Sequence, residues 1–513
     1  MEHSYDVIVI GGGWSGLVTC KHMLQAKLSC VVFEKQDWIG GVWRYSDDPK
    51  LVTVMKNTIT SSSKTITEIS DFPMPDEFGH FPHHSNVFKY LKSYCDKFNL
   101  WPHIKLNTEI VEVKKKDDKW IVHTKKGERF TSKYLCVCSG THQVPNEEVK
   151  DTVFKAFKGD VTHSISYKHP MPEHIGKKIL IYGGGETASD IATELSYVAD
   201  KVYCSIPHGQ WFQHKLTKTG DPFDHFSSRL RRWGSPPGRD CPFLVYCLES
   251  DYGFQLHGLE EWRSPAKYYG QFFNKSPAVV DRVKEGFVIP LPDLEKVHSH
   301  KISFKNHKEV DIDTIILCTG YHPQFDFLPK EYTQHAPDRF KLIFEPLDPT
   351  LAFIGLIRPT VTSIPMMTEL QVRCAVRVFT GKVKIPSKKE MLPIIEKDDA
   401  FLQKQFETTT HRIGGLVDPL WYANELSTFG QFKPNYVKLF FQNPYHWYRC
   451  ITAPAHGCEF LLNEKKHRPY ILNLYKKLKP KRFTDRYYLD TLGLWVVFPV
   501  IDACMRAYRR LRA

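Results

Sequence analysis

One stretch limits the fold more than any other. Tyr5-Asp-Val-Ile-Val-Ile10 is an alternating β-branched run, the pattern of a buried parallel strand. It runs into Gly11-Gly-Gly-Trp-Ser-Gly16, which reads G-x-G-x-x-G. In such a turn Gly11 permits the tight bend and Gly13 lets a pyrophosphate approach the backbone. Gly16 lets the next helix sit close to the sheet. That helix is expected to start near Trp14 and to aim its first N–H groups, Ser15 included, at phosphate.

A second strand, Cys30-Val-Val-Phe33, ends in Glu34. The carboxylate lies about 20 residues past the glycines, where a ribose hydroxyl partner is expected. The glycine pattern alone is weak. A strand before it, a helix after it and an acid on schedule make a dinucleotide site. Next comes Ile39-Gly-Gly-Val-Trp43, whose paired glycines allow close approach to a ligand and whose Trp43 can lie against a flat ring.

The pattern returns. Lys178-Ile-Leu-Ile-Tyr182 is another buried strand, followed by Gly183-Gly-Gly-Glu-Thr-Ala188 and a helix with Ile191, Ala192 and Leu195 on one face. Here Gly183, Gly185 and Ala188 form G-x-G-x-x-A, with Ala at the helix-packing position. Two such units argue for two dinucleotides. The strand after the second turn, Lys201–Ile206, ends in Pro207-His-Gly209 without an acid, which leans towards NADP(H). His208, His214 and Lys215 are candidate partners for a 2′-phosphate, or ordinary surface polar residues.

The chain has 513 residues, 42% apolar and 25% charged, enough for two or three cores. A net charge of +13 fits a solvated basic surface, or attraction to anionic cofactors or a membrane. No zinc-finger spacing, basic helix or RNA-reading motif argues for nucleic acid. The 13 cysteines form no pairing framework, and Cys136 and Cys138 read as core residues. With no signal-peptide pattern ahead of the first strand, a reduced, cytosol-facing compartment is expected.

Between the landmarks, residues 51–80 read as a long ordered loop and 86–99 as a helix. Strands are expected at 108–114, 118–124 and 134–138. Tyr134-Leu-Cys-Val-Cys-Ser-Gly140 and Thr314-Ile-Ile-Leu-Cys-Thr-Gly-Tyr321 are alike, which suggests two crossings between a first dinucleotide domain and an inserted second one. Residues 212–295 hold many aromatics, among them Trp211-Phe212 at their edge, Phe223, Trp233 and Trp262; they suit a substrate channel, a membrane-facing lid or plain core. Apolar Leu492–Ile501 is too short to span a bilayer, which needs about 20 residues. With the basic ending 506–512 it suits a membrane-surface helix, or a helix packed on the protein itself.

Between the two glycine turns lies Phe157-Lys-Gly-Asp-Val-Thr-His-Ser-Ile-Ser-Tyr-Lys168. Phe157, Gly159, His163, Tyr167 and Lys168 match every position of F-x-G-x-x-x-H-x-x-x-[YF]-K, the identifying pattern of the flavin-containing monooxygenases. Residues 4–445 resemble this group of class B flavoprotein monooxygenases. Gly40-Gly41 with Trp43, the Lys64–Pro73 segment and Cys318-Thr-Gly-Tyr321 add to the likeness.

The resemblance implies an α/β fold of two Rossmann-like domains. An FAD domain would comprise 1–150 and 328–445, with a smaller NADP domain, 155–327, inserted in it and itself carrying the helical insertion 212–295. Residues 446–513 would form a tail able to touch a membrane. FAD contacts would be Gly11, Gly13, Trp14, Ser15, Glu34, Gly41, Val42, Trp43 and Ser62. NADP contacts would be Thr60, Ser61, Gly183, Gly185, Thr187, Ala188, Ser189 and Asp190. His163, Tyr167 and Lys168 would be structural or domain-coupling.

The implied enzyme is of the N,N-dimethylaniline monooxygenase type. It would use NADPH and O₂, form a C4a-hydroperoxyflavin and oxygenate the amine nitrogen or sulfide sulfur of a small molecule. The alternatives are a Baeyer–Villiger oxygenase, an uncoupled NADPH oxidase and a non-catalytic FAD-binding protein. No metal is expected. The implied location is cytoplasmic, with the cytosolic face of the endoplasmic reticulum left open, as is a homodimer. Two positions depart from the family. Ser61 stands where Asn is usual beside the flavin and nicotinamide, and it offers one donor where Asn offers two and an acceptor. It remains the expected hydrogen-bonding catalytic residue, with Asn57 or a water as substitute. Pro207-His208 stands where Arg is usual.

Overall fold

The structure is a computed structural model. It describes residues 3–477 apart from 218–219, 227, 230–258, 267–270, 307, 334–337, 361, 407–414 and 465. Trp233 and the two C-terminal stretches at 492–501 and 506–512 lie outside the described residues.

The first sheet is built around β1 (His3–Ile10), whose last four residues are buried. It is flanked in parallel by β2 (Cys30–Phe33) and β6 (Arg129–Val137). β3 (Ile104–Lys105) extends the β2 edge. β5 (Lys119–Thr124) pairs antiparallel with β6, and β4 (Ile110–Lys116) pairs antiparallel with β5 at the edge. The order is β3-β2-β1-β6-β5-β4. β6 begins five residues before the expected start, because Phe130, Thr131 and Ser132 continue the parallel register with β1. Helix α1 (Trp14–Gln25) packs on the sheet through Leu17, Val18 and Cys20, and α2 (His84–Lys97) covers the next position with Val87, Leu91 and Tyr94.

The second sheet is wholly parallel among the described strands. β7 (Asp160–His163), β8 (Lys178–Tyr182), β9 (Lys201–Ser205), β10 (Val288–Leu291) and β11 (Thr314–Leu317) run in the order β10-β9-β8-β11-β7. α3 (Glu186–Leu195) buries Ile191, Ala192 and Leu195 against it, the face the sequence offers. Phe212 and Trp262 join the same core, so these insertion aromatics serve packing. β12 (Leu351–Phe353) then returns to pair with β6 in the first sheet.

The chain enters and leaves the second unit side by side. Val144–Pro145 pairs antiparallel with Tyr321–His322. Asn146 N–H donates to the Gly320 carbonyl (2.9 Å), and the Thr319 hydroxyl donates to the Asn146 carbonyl.

Residues after 445 are anchored rather than trailing as far as they are described. Arg229, fully buried, donates through Nε to Glu459 Oε2 at 2.7 Å. His456 sits 3.0 Å from the Glu68 carboxylate while its Nδ1 accepts the Cys458 N–H. α4 (Ile364–Phe379) carries Arg373, which donates to Glu464 at 2.7 Å. No described helix is long and apolar enough to cross a membrane.

Candidate functional site

The two glycine turns have the same construction. Gly11 has φ +108°, its N–H donates to the Phe33 carbonyl (2.8 Å), and a Cβ on it would meet the Cys138 carbonyl oxygen at 2.6 Å. Gly183 has φ +135°, donates to the Ser205 carbonyl (3.0 Å), and its Cβ would meet the Cys318 oxygen at 2.4 Å. In each case the first strand, the second strand and the end of a third meet at one glycine, where only glycine fits. Gly16 is tighter still: a Cβ there would lie 1.8 Å from the Gly11 oxygen, so the close helix approach requires it.

Around the first turn, Gly41 opens a single helical turn, Gly41–Trp43, that faces Gly13. Trp43 packs on the first core, and the Val42 carbonyl accepts from the Val54 N–H at 2.9 Å. The Ser15 hydroxyl lies against Gly355, just past β12. Glu34 stands at the tip of β2, its carboxylate accepting from Gly12 N–H at 2.7 Å and Gln36 N–H at 2.9 Å. Burial pushes its pKa up and those N–H groups oppose the rise. The indole N–H of Trp14 is buried with no hydrogen-bond partner.

Thr60, Ser61 and Ser62 lie on a loop of the first unit that reaches across to the second. Thr60 is buried and its hydroxyl has no partner. The Ser62 hydroxyl reaches the Thr362 carbonyl at 3.5 Å. The Ser61 hydroxyl donates to Glu186 Oε2 at 2.7 Å, across to the first residue of α3. Asn57, offered above as a substitute for the missing Asn, instead donates to Glu194 at 3.0 Å. Tyr167 donates to the other oxygen of the same carboxylate at 2.8 Å. Lys168 holds the loop from beneath, donating to the Leu51 carbonyl (2.7 Å) and the Thr53 hydroxyl (3.1 Å). His163 has both ring nitrogens engaged, by Gly320 O and Ile165 N–H.

At the second turn a Cβ on Gly185 would meet nothing, so the cradle is open there. Thr187 is exposed at the start of α3, Ala188 is packed in the core, and the Ser189 hydroxyl accepts from Asn274 at 2.7 Å. Burial raises the Asp190 carboxyl to about 6, with the Lys215 ammonium pulling the other way. Burial in turn lowers the Lys215 pKa, and the Asp190 and Glu186 carboxylates oppose that shift. His208 does line a cavity at that tip, of about 440 Å³, together with Arg263, Lys305, Glu261 and Asp293. On the first-domain wall Arg358 donates to His142 Nε2 at 3.2 Å; burial first and then the guanidinium lower that imidazole to about 3.

Glu186, Asn274, Arg263 and Arg358 are not visible in the motif spacing. Glu186 occupies an unspecified position of G-x-G-x-x-A, and the other three reach the site from distant loops.

A family model described as flavin-binding monooxygenase-like matches residues 4–467. The chain belongs to this family. It is 31% identical over 495 residues to dimethylaniline monooxygenase [N-oxide-forming] 2 of Mus musculus, covering 89% of this chain and 88% of that relative. It is 31% identical over 463 residues to flavin-containing monooxygenase 5 of Homo sapiens, covering 85% of each. In fold it is similar to S-allyl-L-cysteine S-oxygenase from Allium sativum, with a TM-score of 0.61 at 18% identity over 92% of this chain and 98% of the other. A cyclohexanone monooxygenase from Rhodococcus sp. Phi1 bound to NADP⁺ gives a TM-score of 0.58 at 14% identity over 83% of this chain and 97% of the other. The chain is a flavin-dependent monooxygenase of two Rossmann-like units, with FAD and NADPH as its cofactors.

The cavities suit those groups. Trp14 and Thr60 offer buried polar atoms without partners, and Gly185 leaves open room at a helix start.

Proposed function

We propose that this monooxygenase takes hydride from NADPH and oxygen from O₂ and oxygenates a soft nucleophile, an amine nitrogen or a sulfide sulfur, of a small molecule. The observation that carries the reading is the repeated glycine turn, with Tyr167 and Lys168 of the family fingerprint pinning the loop between the two copies.

When bound, NADPH would supply a hydride, and FAD would accept it and activate O₂. The chain's part is binding, orientation and exclusion of water. Gly11, Gly13, Trp14, Ser15 and Gly16 would hold the flavin diphosphate at the start of α1, with Glu34 taking ribose hydroxyls. Gly41, Val42, Trp43 and Ser62 would wall the flavin. Gly183, Gly185, Thr187, Ala188, Ser189 and Asp190 would hold NADPH at the start of α3. His208, Arg263 and Lys305 at the β9 tip would meet its 2′-phosphate, in place of the absent Arg of the strand itself. Ser61 and Thr60 would hydrogen-bond where the two rings meet. No side-chain nucleophile is required.

The test uses purified protein. Flavin absorbance, and O₂ uptake that needs both NADPH and a tertiary amine or thioether, are the expected results. Absence of both overturns the reading. Mass spectrometry of the products separates N- or S-oxides from the esters a Baeyer–Villiger oxygenase would make from cyclic ketones.

One contact favours a second reading, an uncoupled NADPH oxidase: the only proton of the Ser61 hydroxyl is already given to Glu186. Hydrogen peroxide formed in proportion to NADPH consumed, without oxygenated product, would support it.

A further inference from the structure

Glu186 is the first residue of α3, a helix of 10 residues capped by Gly185. Its carboxylate is held at both oxygens. Oε2 accepts from the Ser61 hydroxyl at 2.7 Å, and Oε1 accepts from the Lys275 N–H at 3.3 Å. The charge also bears on the Lys215 ammonium and the Arg358 guanidinium. It thus lies at the junction of three parts of the chain: the 60–64 loop, the second glycine turn and the segment that returns from the insertion.

The start of a helix carries roughly half a positive charge, which is why a diphosphate is bound there. A carboxylate in the first turn uses the same field. In the first cradle the equivalent position is Trp14, which is neutral. At the first helical position, therefore, the second cradle carries an anion fixed by a serine of the opposite unit, whereas the first cradle's carboxylate, Glu34, comes from the tip of β2 and lies on the Gly12 N–H. Its neighbour Thr60 keeps a buried hydroxyl without a partner, so the Ser61–Glu186 contact does not complete the polar wiring of the loop.

We propose that Glu186, tethered by Ser61, is a built-in counter-anion that repels the dinucleotide diphosphate at the start of α3, making Ser61 and Glu186 together a determinant of how tightly this chain retains NADP⁺. The proposal rests on the second cradle being the NADP(H) site. The carboxylate caps none of the helix-start N–H groups itself, so the diphosphate would enter beside a fixed negative charge held by Ser61 and the Lys275 N–H. Loss of the charge favours the bound state most. Loss of the tether favours it less, because the charge remains but is free to turn away.

The experiment is calorimetric titration of NADP⁺ into FAD-loaded protein, for wild type, Glu186→Gln, Ser61→Ala and the double variant. FAD content and melting temperature serve as controls of folding. The expected result is affinity tighter by about tenfold in Glu186→Gln, the size of one partly screened unit charge. Ser61→Ala should tighten it by less, and the double variant should gain nothing over Glu186→Gln. The gap between wild type and Glu186→Gln should narrow as salt is raised. Equal or weaker binding by a folded, FAD-loaded Glu186→Gln, with wild type binding normally, would overturn the counter-anion and leave the cradle standing. Failure of every FAD-loaded protein to bind NADP⁺ would overturn the cradle itself, and the proposal with it.

Discussion

Gly183 and Cys318 touch so closely that a methyl group on the glycine would come 2.4 Å from the cysteine's carbonyl oxygen. Two residues on, Gly185 faces open space. The same turn therefore holds one glycine required by the fold and one that the fold does not need. Gly183→Ala combines that clash with φ +135° and should destabilise the protein by several kcal/mol, on the order of 3. Gly185→Ala should melt within a degree or two of wild type, while NADP⁺ affinity falls about tenfold or more, since only glycine lets a pyrophosphate so near. Thermal melts and NADP⁺ titrations on both variants check this. Equal NADP⁺ affinity in Gly185→Ala would contradict the assignment.

Lys168 is buried, and its ammonium is tied to a carbonyl and a hydroxyl of the 51–58 loop. Burial lowers its pKa. Lys168→Met removes charge-assisted hydrogen bonds and strands the Leu51 carbonyl. The expected loss is about 2 kcal/mol in urea unfolding at an unchanged m-value. Tyr167→Phe gives up one hydrogen bond to Glu194 and should cost about 1 kcal/mol. A Lys168→Met protein as stable as wild type would show that the motif lysine is not a structural tether.

His142 accepts a hydrogen bond from Arg358, so its ring is neutral in the native state, with a pKa lowered to about 3 by burial and by the guanidinium. A depressed imidazole stabilises the fold above its unfolded value of about 6.5 and loses that contribution as pH falls towards 3. Urea melts at pH 7, 6 and 5 should therefore show stability falling with acid. This ring adds on the order of 1 kcal/mol per pH unit. His142→Gln should have a shallower slope over that window. An identical slope would remove His142 from the account.

Arg263 and Lys305 reach the cavity at the β9 tip from outside the strand. Arg263→Ala should raise the KM for NADPH several-fold, roughly 1 kcal/mol of lost phosphate contact, and leave that for NADH unchanged. Steady-state oxidation of the two cofactors makes the comparison. A parallel rise for both would place the loss at the shared diphosphate or ring.

Much of this arrangement could be read before any coordinates. β2 and β8 fall at the expected residues, as do the starts of β1's glycine turn and of α1, because buried parallel strands ending in glycine have few alternatives. The like stretches 134–140 and 314–321, which suggest crossings between two domains, are the strands that pair with β1 and β8 just before the chain passes between the units. What stayed hidden was tertiary. Ser61 was legible as a departure, but not its partner, because Glu186 fills a position the pattern leaves free. That Lys215 is influenced by the Asp190 and Glu186 carboxylates is likewise invisible in the spacing, since sequence distance from β9 does not say which charges a side chain meets. The segment after 445 reads as a tail, yet buried Arg229 and Glu68 reach it from earlier in the chain.

The paired strands Val144–Pro145 and Tyr321–His322 bear on how the second unit is held to the first. A single connecting strand would let the nicotinamide-binding half wander. Two backbones zipped side by side resist sliding and stretching and leave twist as the soft movement. The second glycine turn is thereby held at a fixed reach from the first, with rotation about the paired strands as its remaining freedom. The spacing of the two cradles thereby becomes a property of two short stretches of main chain.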